Sequence, residues 1–307
     1  MISDIPSTQD FYDAGHELFD FAWDTVARLW TGLSEAESWG IDKEEVSEDY
    51  WGAAQSRLAS ALAVTQQGTE LILKGKIAAI TPFLLLADPP SKWPDPTKNA
   101  RFSDLRTVDA QDLVKLYNSV SANPFSADFS QRFHRLRDSR NRIFHSVDKN
   151  LKVTTSEVLE TILALYKDLF PDRNWAHMRA SFIQNAPDTK LDGGDYSLNN
   201  AAREIKVVMD LLSPAAVQHF FGVDKKKRLY LCPHCLDNFN RDIDPGDYPH
   251  LAQLKPAAPK STKIYCPLCD ATYEVERVSC THDECKGNVI DPTEGRCLTC
   301  SEWVADA

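Results

Sequence analysis

The sequence predicts an all-α helical bundle followed by a small, β-rich, cysteine-bearing domain. Three observations carry this. Apolar residues recur at helical spacing through most of the chain up to Leu212. Alternating, strand-like patterns are scarce before position 228. All eight cysteines lie beyond residue 231. With 307 residues there is room for two domains. The compositional break sets them at 1–223, helical, and 224–307, β-rich.

In order along the chain, helical periodicity predicts helices over Phe11–Trp30, Trp51–Gln66, Thr69–Leu86, Asp109–Ser121, Ser126–Val147, Ser156–Phe170, Trp175–Asn185 and Leu198–Leu212. Asp109 and Ser126 are suited to N-capping, because a short oxygen-bearing side chain can accept from a first-turn N–H. Thr154–Glu157 reads as a capping-box region. Pro89-Pro90, Asn123-Pro124 and Pro171 interrupt the pattern, since proline lacks an N–H and restricts the residue before it. Beyond Lys227 the short pieces Arg228–Leu231, Lys263–Tyr265 and Thr272–Val278 lean toward strand. Asp242–Ser261, rich in Pro, Asp and Ala, reads as a long loop.

The net charge of −11 excludes a basic coat for nucleic acid. Charge is distributed unevenly, however. From Arg132 to Lys152 seven Lys/Arg face two Asp, a local excess of five. A second basic knot is Lys225-Lys226-Lys227-Arg228. The first thirty residues are acidic, unlike a basic leader, and the longest apolar run, Ile77–Ala87, is broken by Thr81 and Pro82. The expectation is a soluble, cytoplasmic protein with no membrane partner.

The cysteines fall in four pairs: Cys232/Cys235, Cys266/Cys269, Cys280/Cys285 and Cys297/Cys300. Three are CxxC, a spacing that lets two thiolates reach one tetrahedral ion from a tight turn. Eight thiolates fill two four-cysteine sites with none left over. Disulfides do not suit the expected compartment, and a redox CxxC lacks its βαβ setting. The predicted cofactors are therefore two structural zinc ions and no catalytic metal. "CPHCLDNF" and "CPLCDATY" share C-P-x-C-x-x-x-aromatic, which resembles the zinc-ribbon family. Sequential pairing puts Cys232, Cys235, Cys266 and Cys269 on one ion and Cys280, Cys285, Cys297 and Cys300 on the other; interleaved pairing is the alternative. His234, His250 and His282 are spare ligands.

One helix holds an anomaly. Around "LRDSRNRIFHS", residues 136–146, Phe129, Phe133, Leu136, Ile143, Phe144 and Val147 form one apolar stripe at about 100° per residue, and Arg140 sits near its centre. Asn141 and His145 lie one turn apart on an adjoining face, with His134, Arg137 and Asp138 near it. A guanidinium taken out of water needs an acidic partner or a phosphate. Glu70, on the upstream helix, is the acidic candidate.

"RNRIFH" has the form R-N-x-x-x-H and resembles the motif of the HEPN superfamily. "GTELILKGKIAAITPFLLL" is similar to the helix that precedes that motif in many such domains. The resemblance covers roughly residues 10–215. It implies a homodimer whose protomers place their motifs across a cleft, and metal-independent RNA cleavage leaving a 2′,3′-cyclic phosphate. Carried over, it makes Arg140, Asn141 and His145 the catalytic set. Histidine moves a proton near neutral pH, and arginine holds phosphoryl oxygens with two hydrogen bonds. Glu70 and Asp138 would support them, while Arg132, Arg135, Arg137 and Arg142 would guide the RNA backbone. The family also implies phage defence or a toxin role, with an antitoxin or inhibitor protein as a further partner. The competing expectation is a non-catalytic regulator that binds nucleic acid or protein.

Overall fold

A computed structural model of the chain describes residues 2–95, 97–145, 152–191, 193–194, 196–240, 242–258 and 260–304, with the backbone alone at His145 and Pro245. The chain is mainly helical, with a small antiparallel sheet and cysteine clusters toward its C-terminal end, as the sequence predicts. It divides into two compact units, Met1–Leu169 and Phe170–Ala307. The compositional break at 223/224 lies inside the second unit. Among the described residues no helix is long and apolar enough to cross a membrane.

The first unit is built on two long helices, α1 (Thr8–Ser34) and α2 (Lys43–Ala78). Ser7 and Asp10 close a reciprocal capping box at the start of α1. The sequence predicts two helices, Trp51–Gln66 and Thr69–Leu86, where α2 runs unbroken through Gly68 to Ala78. The role of Gly68 is close packing. A Cβ at Gly68 would lie 2.7 Å from the Phe19 ring, and one at Gly15 would lie 2.9 Å from the Gly68 carbonyl oxygen. The chain leaves the helix before Pro82, which opens a short 3-10 turn, Pro82–Leu85.

Around this pair pack α3 (Ala110–Val120), α4 (Ala127–His145) and α5 (Thr155–Leu169). Ser126 Oγ accepts from Phe129 N at 3.1 Å and Thr154 Oγ1 from Glu157 N at 3.1 Å, so the starts of α4 and α5 are capped as expected. Asp109 occupies the N-cap of α3 but makes no capping bond. Phe19, Trp23, Ile72, Phe129, Phe133 and Ile162 are fully buried. A two-residue parallel pairing, β1 (Ile2–Ser3) with β2 (Ala100–Arg101), completes the unit. Residues 146–151, with the expected end of the α4 helix at Val147, lie outside the described residues.

The second unit contains α6 (Trp175–Asn185), α7 (Pro187–Leu191), α8 (Ser197–Leu211) and α9 (Pro214–Phe221). Arg179 and Glu204 tie α6 to α8 by two 2.8 Å hydrogen bonds, their side chains only 5% and 15% exposed. Then come α10 (Pro233–Asn238) and the sheet β3 (Gln253–Leu254), β4 (Lys263–Cys266), β5 (Ala271–Glu274), with Gln253 opposite Tyr265 and Cys266 opposite Ala271. Of the expected strand Arg228–Leu231 only an isolated bridge, Tyr230 to Ala252, forms. The expected loop Asp242–Ser261 contributes β3.

The basic knot at 225–228 is engaged in part: Lys226, Lys227 and Arg228 are exposed, whereas Lys225 turns inward. Lys225 Nζ donates to the carbonyls of Met209, Asp210 and Leu212 and so caps the C-terminus of α8. Arg228 lies over the Tyr230 ring and donates to Thr299 Oγ1.

Candidate functional site

The stripe predicted on α4 holds only in its first half. Phe129, Phe133 and Leu136 are buried, whereas Ile143 is half-buried and Phe144 is 57% exposed. Arg140 therefore stands where the helix leaves the core, half-buried, with its guanidinium carbon 5.7 Å from the Phe144 ring centre. The reason is the amphipathic character of the arginine, whose stem can pack while its head reaches outward.

Arg137, Arg140 and Asn141 line a cavity of about 210 Å³. Gln66 and Glu70 of α2 form a second wall. Asp109, Ala110 and Gln111, at the start of α3, form a third. Charge pairing inside it is uneven. Glu70 takes Lys74, one turn on, at 2.9 Å. Asp109 takes Arg106 at 3.0 Å. Arg137 Nη1 donates to the Gln111 carboxamide at 3.2 Å, and Arg140 Nη1 to that of Asn141 at 3.2 Å. Both guanidinium partners are thus neutral. Among the described residues no carboxylate lies within ion-pair distance of either arginine. Arg137 Nε is buried without a hydrogen-bond partner there.

The α3 terminus adds to this. Asp109 is engaged by Arg106 and makes no capping bond, so the first turn of α3, the positive end of its dipole, borders the cavity without a side-chain cap. Two guanidiniums with neutral partners and a helix N-terminus border one small cavity, beside two carboxylates already paired elsewhere, an arrangement that could take an anion with several oxygens.

The remaining expected residues lie elsewhere. Arg132 reaches Asp168 of α5 at 3.6 Å, half-buried, so its charge is already matched. Arg135, Arg142, His134 and Asp138 are exposed and do not line the cavity. The expected Glu70–Arg140 pair is replaced by Glu70–Lys74, a pair largely removed from solvent. The His145 side chain lies outside the described residues, though its backbone is the last of α4. Sequence reasoning missed Gln66, Asp109 and Gln111. Only the i, i+4 spacing of Glu70 and Lys74 was there to be read.

The cysteines assemble as two sets, Cys232, Cys235, Cys266, Cys269 and Cys280, Cys285, Cys297, Cys300, each with its sulfurs within 4.8 Å of one another. This is the sequential pairing, and it excludes the interleaved one. None forms a disulfide. In the first set Cys232–Cys269, Cys235–Cys266 and Cys235–Cys269 are 3.7, 4.0 and 3.2 Å apart at sulfur, and in the second Cys280–Cys300 and Cys285–Cys297 are each 3.8 Å apart. A tetrahedral ion with sulfur ligands at ~2.3 Å needs sulfurs about 3.8 Å apart, so both sets fit.

The local frames differ. Pro233 at the first position of α10 holds Cys232 and Cys235 on one helical turn, a helical knuckle where a ribbon has a hairpin. Cys266 and Cys269 sit at the β4–β5 turn, which closes through Asp270 at φ 51°. In the second set the longer gap closes by Cys285 N donating to His282 O at 3.0 Å, and Gly287 N donates to Cys285 Sγ at 3.3 Å. A Cβ at Gly287 would lie 2.7 Å from Cys297 Sγ.

Hydrogen bonding with Cys232, joined by neighbouring sulfurs and burial, pushes Cys235 and Cys266 well above the usual thiol range, while Cys232 pulls Cys269 down. Four sulfurs this close cannot all carry charge without a cation among them. His234 Nδ1 lies 3.6 Å from Cys269 Sγ, outside the four-sulfur set, and His250 binds the Thr299 carbonyl. Both sets can hold a metal ion.

Comparison with family models, with curated proteins and with solved structures finds no match for this chain.

Proposed function

We propose that the chain is a HEPN-type endoribonuclease that seats an RNA phosphate in the α4 cavity, acts as a homodimer, and carries two structural zinc ions. The observation that carries the reading is the pair Arg137 and Arg140, two guanidiniums in one cavity whose hydrogen bonds, among the described residues, go to neutral carboxamides. The R-N-x-x-x-H pattern supports it by placing a histidine at the end of the same helix.

In this reading the arginines bind the non-bridging oxygens of the scissile phosphate and offset charge as it develops. The ribose 2′-oxygen attacks the phosphorus and gives up its proton. The 5′-oxygen leaves and gains one. A 2′,3′-cyclic phosphate and a 5′-hydroxyl remain. His145 moves one of these protons, and Asn141 orients Arg140. Zinc, when bound by four thiolates, is closed and supplies stability rather than chemistry.

The test is brief incubation of RNA in EDTA with zinc-loaded wild-type protein and His145→Ala, with retention of the zinc and of the fold checked at the end. We expect wild-type cleavage to leave cyclic-phosphate ends, with at least a hundredfold loss in the variant, on the order of a lost general acid–base. Equal cleavage by both proteins defeats the nuclease assignment. No cleavage by either, with RNA still bound, favours the non-catalytic regulator. Metal analysis should return about two zinc ions per chain.

A further inference from the structure

The cavity contains a competitor for its own ligand. Glu70 lines it together with Arg137 and Arg140, yet its carboxylate is turned to Lys74 at 2.9 Å. Both members of that pair are largely buried, at 14% exposure for Lys74 and 16% for Glu70. A carboxylate so placed does not stay unpaired, because removal from water without a partner costs several kcal/mol. Were Lys74 neutral, the guanidiniums of Arg137 and Arg140 would be the unmatched cations in the same cavity.

We infer that Lys74 is a positioning residue for the anion seat: by holding Glu70, it keeps Arg137 and Arg140 open to phosphate. Loss of the Lys74 charge lets Glu70 swing to the arginines and close the seat from within. This rests on the cavity being a phosphate site, and it adds a residue that touches no substrate. The i, i+4 spacing on α2 makes the restraint local, so it does not depend on the rest of the fold.

Charge alone would also make Lys74→Gln bind anions less well and Glu70→Gln bind them better. The two accounts separate by additivity. With charge alone, Glu70→Gln improves binding equally in wild-type and Lys74→Gln backgrounds. With Lys74 as a restraint, Glu70→Gln gains far more in the Lys74→Gln background, where it removes an occupant of the seat.

The experiment titrates inorganic phosphate into the full chain and its variants, following the arginine Nε–H resonances by NMR. We expect Lys74→Gln to weaken phosphate binding about tenfold or more, the scale of one charge brought close at a half-buried site. The Arg140 resonance of that variant should already be shifted before phosphate is added. The double variant Glu70→Gln/Lys74→Gln should recover binding and lose that shift, and Lys74→Arg should bind as wild type does. The double variant also guards against misfolding, since it leaves no buried charge unpaired. Equal gains from Glu70→Gln in both backgrounds, or an unshifted Arg140 in Lys74→Gln, overturn the inference while leaving the phosphate site standing. Wild-type protein that shows no phosphate response at Arg137 or Arg140 overturns the site itself.

Discussion

At the scale of single residues, Arg140 changes meaning once its surroundings are known. From sequence it is a charge within an apolar stripe that needs an acidic partner, with Glu70 the candidate, or a phosphate. In the fold its stripe has ended, Glu70 belongs to Lys74, and Arg140 is oriented by the neutral Asn141. Removing it strands no carboxylate. Arg140→Gln should therefore cost less than about 1 kcal/mol in denaturant unfolding, while abolishing the phosphate response and RNA cleavage. Arg137→Gln should behave likewise. Arg135→Gln, exposed and away from the cavity, should change RNA affinity only through its salt dependence. An Arg140→Gln protein that unfolds several kcal/mol early would show that the guanidinium has a structural acidic partner, contrary to the charge pairing described here.

Elements show what sequence patterns do and do not encode. Trp175–Asn185 is predicted to the residue, and the caps at Ser126 and Thr154 form, because periodicity and capping are local. The break expected between Gln66 and Thr69 does not form. Glycine carries two signals there, backbone freedom and absence of a side chain, and only the partner helix decides which applies. At Gly68 the partner is Phe19 of α1. Gly68→Ala should accordingly destabilise by about 1–3 kcal/mol, an overpacking cost, although alanine is the better helix former. An increase in stability, read by thermal or urea unfolding, would show that α1 and α2 can part to admit a methyl group. The cavity illustrates a second limit. Arg137, Arg140 and Asn141 share a face that is legible at helical spacing, but Gln66 and Gln111 come from other helices and carry no motif. In the second unit, Arg179→Ala takes from the mostly buried Glu204 the two hydrogen bonds that Arg179 donates. It should cost about 3–5 kcal/mol, the price of breaking a buried pair from one side.

For the whole molecule, the eight cysteines were the most legible feature, since short spacing fixes local geometry and the count leaves none over. Their unequal settings were not legible. In the first set Cys232, Cys235 and Cys266 are buried and Cys269 is half-buried. That set is joined to its surroundings through Tyr265, which accepts from Asn174 and donates to Asp270, and through His177 at the Leu268 carbonyl. In the second set only Cys297 is buried, and its apolar support is a small cluster around Ile290 and Val304. Solvent and chelator meet more sulfur in the second set, and fewer contacts must open to let the ion go. Chelation should therefore proceed in two phases. The first should release one ion per chain with the helical circular dichroism unchanged, and the second should release the other together with loss of signal from α6 and α10. Cys280→Ser should keep one tightly bound ion and the slow phase alone, whereas Cys232→Ser should keep the fast phase and fold less stably. Release of both ions in a single step, or loss of the slow phase in Cys280→Ser, would show that the two sets stand or fall as one.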